Sequence, residues 1–103
     1  MNSRSRKYRM AVAELCCVKC GIDGYSQAAH PNSHKWGKGL GLKADDYACV
    51  PLCCDRPGIV GCHTQWDQHK IAPKEEREAI WRRWMSWTKA ALAAGMAAHE
   101  AVA

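Results

Sequence analysis

The sequence predicts a small α+β domain, stapled through its cysteines, followed by a long C-terminal helix. The 103 residues include seven cysteines and no phenylalanine, so a metal or disulfides rather than aromatic packing must supplement the core. Two short segments that end near His30 and Leu52 adjoin turn or loop residues, which is typical of a pair of strands. After Pro73, apolar residues recur at helical spacing to about Ala98.

Length and hydropathy limit the organisation of the chain. A sequence of 103 residues is long enough for one domain. No apolar segment follows the charged N-terminus, so no signal peptide is expected, and no run approaches the roughly eighteen apolar residues of a transmembrane helix. We therefore expect a cytoplasmic protein without a membrane partner. In that compartment, clustered cysteines bind metal more often than they form disulfides.

Basic residues are concentrated in two places and contribute to a net charge of +5. One group opens the chain within residues 1–15, the predicted basic N-terminal arm. Residues 1–10 of this arm are expected to be mobile, and residues 11–15 to form a short helix or strand. The other basic group lies in a glycine-rich loop at 31–43. This distribution favours a polyanionic partner, most often nucleic acid held through its phosphates. The candidate phosphate contacts are Arg4, Arg6, Lys7, Arg9, Lys35, Lys38 and Lys43.

Two cysteine pairs lie within residues 16–72, the predicted zinc-supported domain. The first is a C-x2-C motif followed by glycine, typical of a knuckle whose tight turn directs two thiolates at one ion. The second pair flanks a turn with proline and glycine at 55–61. Four thiolates suit a closed tetrahedral zinc site. The predicted ligands are Cys17, Cys20, Cys53 and Cys62, with Cys16 and Cys54 left as alternatives to their neighbours and Cys49 assigned to the core.

Two helices are predicted after these cysteines. The first begins at Cys62 and ends near Lys70. The second belongs to residues 73–103, a helix packed on the domain and a short tail, and Pro73 suits its first turn. The tryptophans of this helix are predicted to cover the core rather than to stack on bases, and they are Trp81, Trp84 and Trp87.

Imidazole and carboxylate groups form a second set of candidates. His63 and Asp67 are spaced i and i+4, so both project from one helix face and could hold a divalent metal. His30 ends the first predicted strand, and Asp46 precedes the second. A strand–turn–strand–helix order would bring these groups together. A histidine that titrates near neutrality can take a proton from water, and a divalent ion can polarise a phosphodiester.

The order of these motifs resembles that of the HNH (ββα-metal) endonucleases with a zinc-ribbon support. The sequence contains C-x2-C, A-H at 29–30, G-K-G-L-G-L-K-A-D-D at 37–46, P-L-C at 51–53 and C-H-x3-D at 62–67. Within that superfamily it is most similar to the bacteriophage recombination-enhancement (Ref-like) and related prophage nucleases. The similarity covers about residues 16–70, and the glycine- and lysine-rich segment is its more specific part.

The resemblance implies a role for each matching residue. His30 corresponds to the general base that activates water, and Asp46 falls near the middle Asn position, which orients the base or helps to bind metal. His63 corresponds to a ligand of the catalytic metal, and Asp67 to a second ligand one turn later. Ala29 stands where many members have Asp or His, which leaves two protein ligands for that ion. The four predicted cysteine ligands match the structural zinc positions.

The resemblance also implies cofactors and partners. The catalytic ion would be Mg²⁺ or another divalent ion such as Mn²⁺, Ni²⁺ or Zn²⁺, with His34 and His69 as reserve ligands or proton donors. The partners would be DNA and a recombinase filament, in the cytoplasm of a bacterium that hosts the phage or prophage. We therefore expect a metal-dependent DNA endonuclease with low sequence specificity, acting in phage recombination or DNA processing.

Two other classes of protein are alternatives to the nuclease. A non-catalytic zinc-binding module that holds nucleic acid or protein would use the cysteines in the same way, and its histidines would be incidental. A thiol redox protein would need a reactive C-x2-C of low pKa rather than a closed zinc site. Convergence of His30 with His63 and Asp67 is the feature that separates the nuclease from the binding module.

Overall fold

The computed structural model describes residues 5–31 and 46–95. In chain order these form helix α1 (Arg6–Ala13), strand β1 (Ser26–Ala29), a 3₁₀ turn (Asp46–Ala48), strand β2 (Val50–Cys53), helix α2 (Cys62–Asp67) and helix α3 (Lys74–Ala93). The two strands form an antiparallel sheet that is followed by α2, and α3 is the long C-terminal helix. The predicted α+β class is therefore confirmed.

Helix α1 begins within residues 1–10, which were expected to be mobile, so that expectation is wrong from Arg6 to Met10. Its last turn agrees with the helix that was one alternative for residues 11–15. Ser5 caps the helix, because its hydroxyl accepts a hydrogen bond from the amide of Tyr8 at 3.1 Å. Val12 and Leu15 are 0 % exposed and fix the end of this segment in the core. The capping serine and the buried apolar residues explain why a basic segment folds here.

The knuckle predicted from the C-x2-C motif is a tight turn in the structure. The amide of Gly21 donates to the carbonyl of Cys17 at 2.8 Å, and Gly21 has a φ of 82°, which suits a residue without Cβ. The amide of Val18 donates to the carbonyl of Pro51 at 2.9 Å. This bond joins the knuckle to β2 and brings its cysteines to the hairpin.

The hairpin is short and its second strand is fully covered. Ser26 pairs with Cys53 and Ala29 pairs with Val50 in the antiparallel register. All four residues of β2 are buried, whereas β1 has one buried residue. Because β2 ends at Cys53, the sheet places that cysteine next to the knuckle.

The segment before β2 differs from the prediction. A strand was expected from Tyr47 to Leu52, but Asp46–Ala48 form a 3₁₀ turn and the strand begins at Val50. The amide of Cys49 donates to the carbonyl of Asp46 at 3.2 Å, which closes the turn. The strand prediction is therefore wrong for the first three residues.

Three tryptophans form an aromatic cluster in the core, and they are Trp66 of α2 and Trp81 and Trp84 of α3. The prediction for α3 is thus confirmed for Trp81 and Trp84. The ring centre of Trp66 in α2 lies 5.4 Å from that of Trp81 and 4.9 Å from that of Trp84. Trp81 is 1 % exposed, and its indole N–H donates to the carbonyl of Ala48 at 2.8 Å. These contacts pack α2 against α3 and join α3 to the 3₁₀ turn before β2, whereas Trp87 is only half-buried.

Helix α2 ends at Asp67, three residues before the predicted end near Lys70. His69 has a φ of 58°, which is incompatible with continued right-handed helix. The guanidinium of Arg77 caps the C-terminal end of α2, because it donates to the carbonyl of Trp66 at 2.8 Å. It also lies 3.9 Å from the centre of the Trp66 ring.

Helix α3 follows Pro73, which occupies the N-cap position rather than the first turn, and it carries two glutamates near its positive end. It ends at Ala93, before the predicted end near Ala98, and Gly95 follows with a φ of 71°. In the described part of the chain, none of the helices combines the length and apolar character needed to cross a bilayer.

Candidate metal centre and histidine–aspartate pairs

Four cysteines meet where the knuckle, the end of β2 and the start of α2 come together. The Sγ atoms of Cys17, Cys20, Cys53 and Cys62 all lie within 4.8 Å of one another. In a tetrahedral site with Zn–S bonds of about 2.3 Å, sulfur atoms are about 3.8 Å apart. The Sγ atoms of Cys20 and Cys53 are 3.8 Å apart. The cluster can therefore hold a metal ion and is compatible with structural zinc.

The geometry decides between the alternative cysteines. Cys17 rather than Cys16, and Cys53 rather than Cys54, belongs to the cluster. Cys49 is 1 % exposed and lies outside it, which confirms its assignment to the core. Burial, together with the carboxylate of Asp46, raises the pKa of the Cys49 thiol to about 12.

Backbone amides support two of the four sulfur atoms. The amide of Cys62 donates to the Sγ of Cys53 at 3.3 Å, and the amide of Cys20 lies 3.5 Å from the Sγ of Cys17. Hydrogen bonds of this kind orient thiolates and offset their charge in metal centres. They arise because Cys20 closes the knuckle and Cys62 is the first residue of α2.

Gly61 allows a tight turn between Cys53 and Cys62. A Cβ atom at this position would lie 2.4 Å from the carbonyl oxygen of Cys53, which is closer than any real contact. The amide of Gly61 donates to a carboxylate oxygen of Asp55 at 2.7 Å, and this bond is the main reason that the pKa of Asp55 is lowered. The turn therefore depends on a residue without a side chain.

The four thiols differ in acidity when no metal is bound. Burial raises the pKa of Cys53, but hydrogen bonds from the Cys62 amide and from neighbouring side chains outweigh it and lower the pKa to about 7. Burial and the adjacent Cys17 thiol raise the pKa of Cys62. Several thiolates in this volume repel one another, so a cation is needed to hold all four deprotonated.

The side chain of Arg56 has buried nitrogen atoms whose surroundings fit a negatively charged cysteine centre. Its Nε and Nη1 atoms are buried and have no hydrogen-bond partner among the described residues. The same side chain helps to lower the pKa of Cys53, and its guanidinium lies 4.7 Å from the ring centre of Tyr25. Four thiolates exceed the charge of a divalent ion by two negative charges, so a neighbouring guanidinium would offset part of that excess.

The first histidine–aspartate pair lies at the end of β1. The Nε2 atom of His30 is 2.8 Å from Oδ1 of Asp46, and Asp46 is 0 % exposed. The other carboxylate oxygen, Oδ2, accepts a hydrogen bond from the amide of Ser5 at 2.6 Å and lies 3.4 Å from Nη1 of Arg9. The structure therefore joins two of the predicted catalytic residues and adds two residues from the start of the chain.

The second pair lies at the start of α2, next to the cysteine cluster. Nε2 of His63 is 3.7 Å from Oδ2 of Asp67, as expected for residues one helical turn apart. Nδ1 of His63 lies 2.8 Å from Oε1 of Gln27 in β1. Because an amide oxygen can only accept, Nδ1 is the donor in this contact, and in the neutral imidazole Nε2 would then carry the lone pair that a metal requires.

The two pairs lie near different positions of β1. His63 contacts Gln27, whereas His30 follows Ala29 directly. A strand rise of about 3.3 Å per residue places the Cα atoms of Gln27 and His30 about 10 Å apart. Among the described residues, the four cysteines are the only group of three or more such ligands that could hold a metal. Convergence of the pairs on one substrate stays a prediction.

The predicted phosphate contacts are only partly described. Arg6 and Lys7 are exposed on α1, whereas Arg9 is directed to Asp46. His69 is exposed and follows α2. The remaining candidates lie outside the described residues, and they are Arg4, His34, Lys35, Lys38 and Lys43.

Several residues of the site were not found from the sequence. Ser5 precedes a helical segment, which is a capping signal that could have been used. Gln27 lies two residues before the A-H motif at 29–30, and Arg56 lies in the turn between two cysteine ligands. Neither has a spacing that indicates its contact, because both contacts join parts of the chain that only the fold brings together.

Comparisons with models of protein families, with curated proteins and with solved structures found no match.

Proposed function

We propose that this protein is a metal-dependent DNA endonuclease of the HNH type, with a structural zinc centre. The observation that carries the proposal is the contact of His30 with the buried Asp46 at the end of β1, in a hairpin followed by a helix that bears His63 and Asp67. A histidine fixed by a buried carboxylate is suited to accept a proton from water.

The two histidine–aspartate pairs would have different roles in phosphodiester hydrolysis. His30 would take the proton of the attacking water, and Asp46 would stabilise the imidazolium that forms. His63 and Asp67 would hold a divalent ion, which supplies the charge that stabilises the phosphoryl and leaving oxygens.

The cysteine centre supports this arrangement without taking part in the chemistry. Four thiolate ligands close a tetrahedral zinc ion to water, so the centre would be structural. Because Cys62 directly precedes His63, metal binding would fix the start of α2 and the direction of that imidazole. Gln27 would fix its tautomer.

The substrate class is inferred from charge. Arg6 and Lys7 are exposed on α1, and the chain has a net charge of +5, so contacts to the phosphate backbone would be independent of sequence. We propose DNA in the bacterial cytoplasm as the substrate, with a recombinase filament as a partner that presents it.

A non-catalytic zinc-binding module for nucleic acid is the second candidate. One observation favours it: the group of metal ligands found in the described part of the chain consists of cysteines alone. Under this reading the contact of His30 with Asp46 would only fasten α1 to the hairpin.

Nicking of supercoiled plasmid in the presence of Mg²⁺ or Mn²⁺ separates the two candidates. The zinc-loaded protein is compared with His30→Ala and with His69→Asn, a matched change of an exposed histidine. Cleavage by the parent and by His69→Asn, with a loss of about 100-fold or more in His30→Ala, is expected for the nuclease. Equal cleavage by all three proteins would overturn the role of His30. Salt-sensitive DNA binding without cleavage, also with recombinase-coated strands, would favour the binding module.

A further inference from the structure

Asp46 carries a buried carboxylate that contacts residues from two other segments of the chain. Its side chain is 0 % exposed, although it follows a segment rich in glycine and lysine. A buried carboxylate is costly unless charged or polar groups surround it. The groups that surround it therefore indicate what the carboxylate is for.

Both oxygens of Asp46 have identified partners. Oδ1 accepts from Nε2 of His30 at 2.8 Å, and Oδ2 accepts from the amide of Ser5 at 2.6 Å, with Nη1 of Arg9 at 3.4 Å. A carboxylate occupied in this way and shielded from solvent is poorly placed to bind a metal ion that reaches DNA. Of the two roles implied for Asp46, orientation of the base fits the geometry.

The contact also sets the state of the imidazole. Because the carboxylate accepts, the proton of neutral His30 is on Nε2 and the lone pair is on Nδ1. Nδ1 makes no hydrogen bond within residues 5–31 and 46–95, and the side chain is 27 % exposed. The lone pair on Nδ1 is thus the one that could accept a proton from water.

We infer that α1 belongs to the candidate site, with Arg9 and the capping residue Ser5 acting on His30 as positioning residues through Asp46. The inference deepens the proposed function and rests on it for its catalytic meaning. Arg9 and Ser5 hold Oδ2, so the carboxylate cannot turn and Oδ1 stays directed at His30. Arg9 therefore positions Asp46, whereas Arg6 is exposed to solvent and is a candidate phosphate contact.

The tautomer of His30 is a readout that does not require nuclease activity. The full-length, zinc-loaded protein is labelled with ¹⁵N in its histidines, and long-range ¹H–¹⁵N spectra at a pH where His30 is neutral distinguish the Nε2–H from the Nδ1–H form. We expect the Nε2–H form in the parent and in Arg82→Gln, a matched loss of charge on α3. Arg9→Gln is expected to move His30 towards a mixture of tautomers. Zinc content and circular dichroism verify that the variants are folded.

Steady-state cleavage kinetics provide the second readout. Arg9→Gln is expected to lower kcat about 10-fold with little change in KM, because it disturbs a base that acts in the transition state. Arg6→Gln is expected to raise KM and to weaken the dependence of binding on salt, because it removes a phosphate contact. Equal effects of the two substitutions on KM alone would assign Arg9 to DNA binding and overturn the inference.

The two measurements separate this inference from the proposed function. An altered tautomer in Arg9→Gln, in a protein that cleaves no DNA, would support the positioning contact and reject the nuclease. Cleavage that depends on His30, with an unchanged tautomer and unchanged kcat in Arg9→Gln, would support the nuclease and overturn the role of α1.

Discussion

The amide of Cys62 lies 3.3 Å from the Sγ of Cys53, nine positions earlier in the chain. The last residue of β2 and the first residue of α2 are therefore joined at the candidate metal centre. The direction in which α2 leaves the hairpin, and with it the position of His63, depends on this contact. The centre thus connects the fold to the candidate catalytic residues.

Substitution of Cys53 is expected to remove the zinc, whereas substitution of Cys54 is not. Cys53 belongs to the cluster of four sulfur atoms, and its neighbour does not. Cys53→Ser should lose bound zinc and lower the thermal midpoint by more than about 10 °C, since each kcal/mol shifts a domain of this size by about 4–8 °C. Metal analysis and thermal unfolding of both variants test this, and loss of zinc from Cys54→Ser alone would contradict the assignment.

Removal of the metal is expected to loosen the tryptophan core. Trp66 lies in the helix that begins at Cys62, and its ring centre is 5.4 Å from that of Trp81. A strong chelator should shift tryptophan fluorescence to longer wavelength and reduce helical ellipticity, because α2 loses its attachment. Zn²⁺ should restore both signals and Mg²⁺ should not, since thiolates favour the softer ion. Unchanged spectra after complete removal of zinc would show that the core does not depend on the centre.

The sequence predicts the features that local spacing determines. The C-x2-C motif with Gly21 forms the predicted turn, and the strand that was predicted to end at His30 is found at Ser26–Ala29. The stripe of apolar residues in α3 includes Trp81, which is 1 % exposed. Each of these depends on residues within about one helical turn or one short strand, so the pattern is visible without the fold.

The sequence does not determine features that depend on distant partners. Cys53 and Cys54 are adjacent, and only the register of β2 decides which of them reaches the knuckle. The basic residues of α1 suggest an arm, but Ser5 and the buried carboxylate of Asp46 hold its first turn. A contact across 41 positions leaves no local pattern.

Gly61→Ala is expected to weaken zinc binding more than Gly58→Ala. The added Cβ at Gly61 would lie 2.4 Å from the carbonyl of Cys53, so the backbone between the two ligands must move. Gly58 has a φ of 77° and open space around it, so alanine there costs only the conformational strain of about 1 kcal/mol. Competition with a chromophoric chelator measures zinc affinity in both variants. Equal affinities would show that the turn tolerates a side chain at residue 61.

The stability of the protein is expected to fall in alkali, in part because of Cys49. Burial and the nearby Asp46 raise the pKa of its thiol from about 9 to about 12 in the folded state. The unfolded chain loses this proton near pH 9 and the folded chain holds it, so the contribution to stability is complete below pH 9 and is lost progressively as the pH rises towards 12.

Urea unfolding at pH 8 and at about pH 10.5 measures this loss of stability. Cys49→Ala should be less stable at pH 8 because of the cavity, yet lose less of its free energy of unfolding between the two pH values. Tyr8, whose pKa burial also raises, is present in both proteins, and an equal loss in both would show that Cys49 does not titrate in this range.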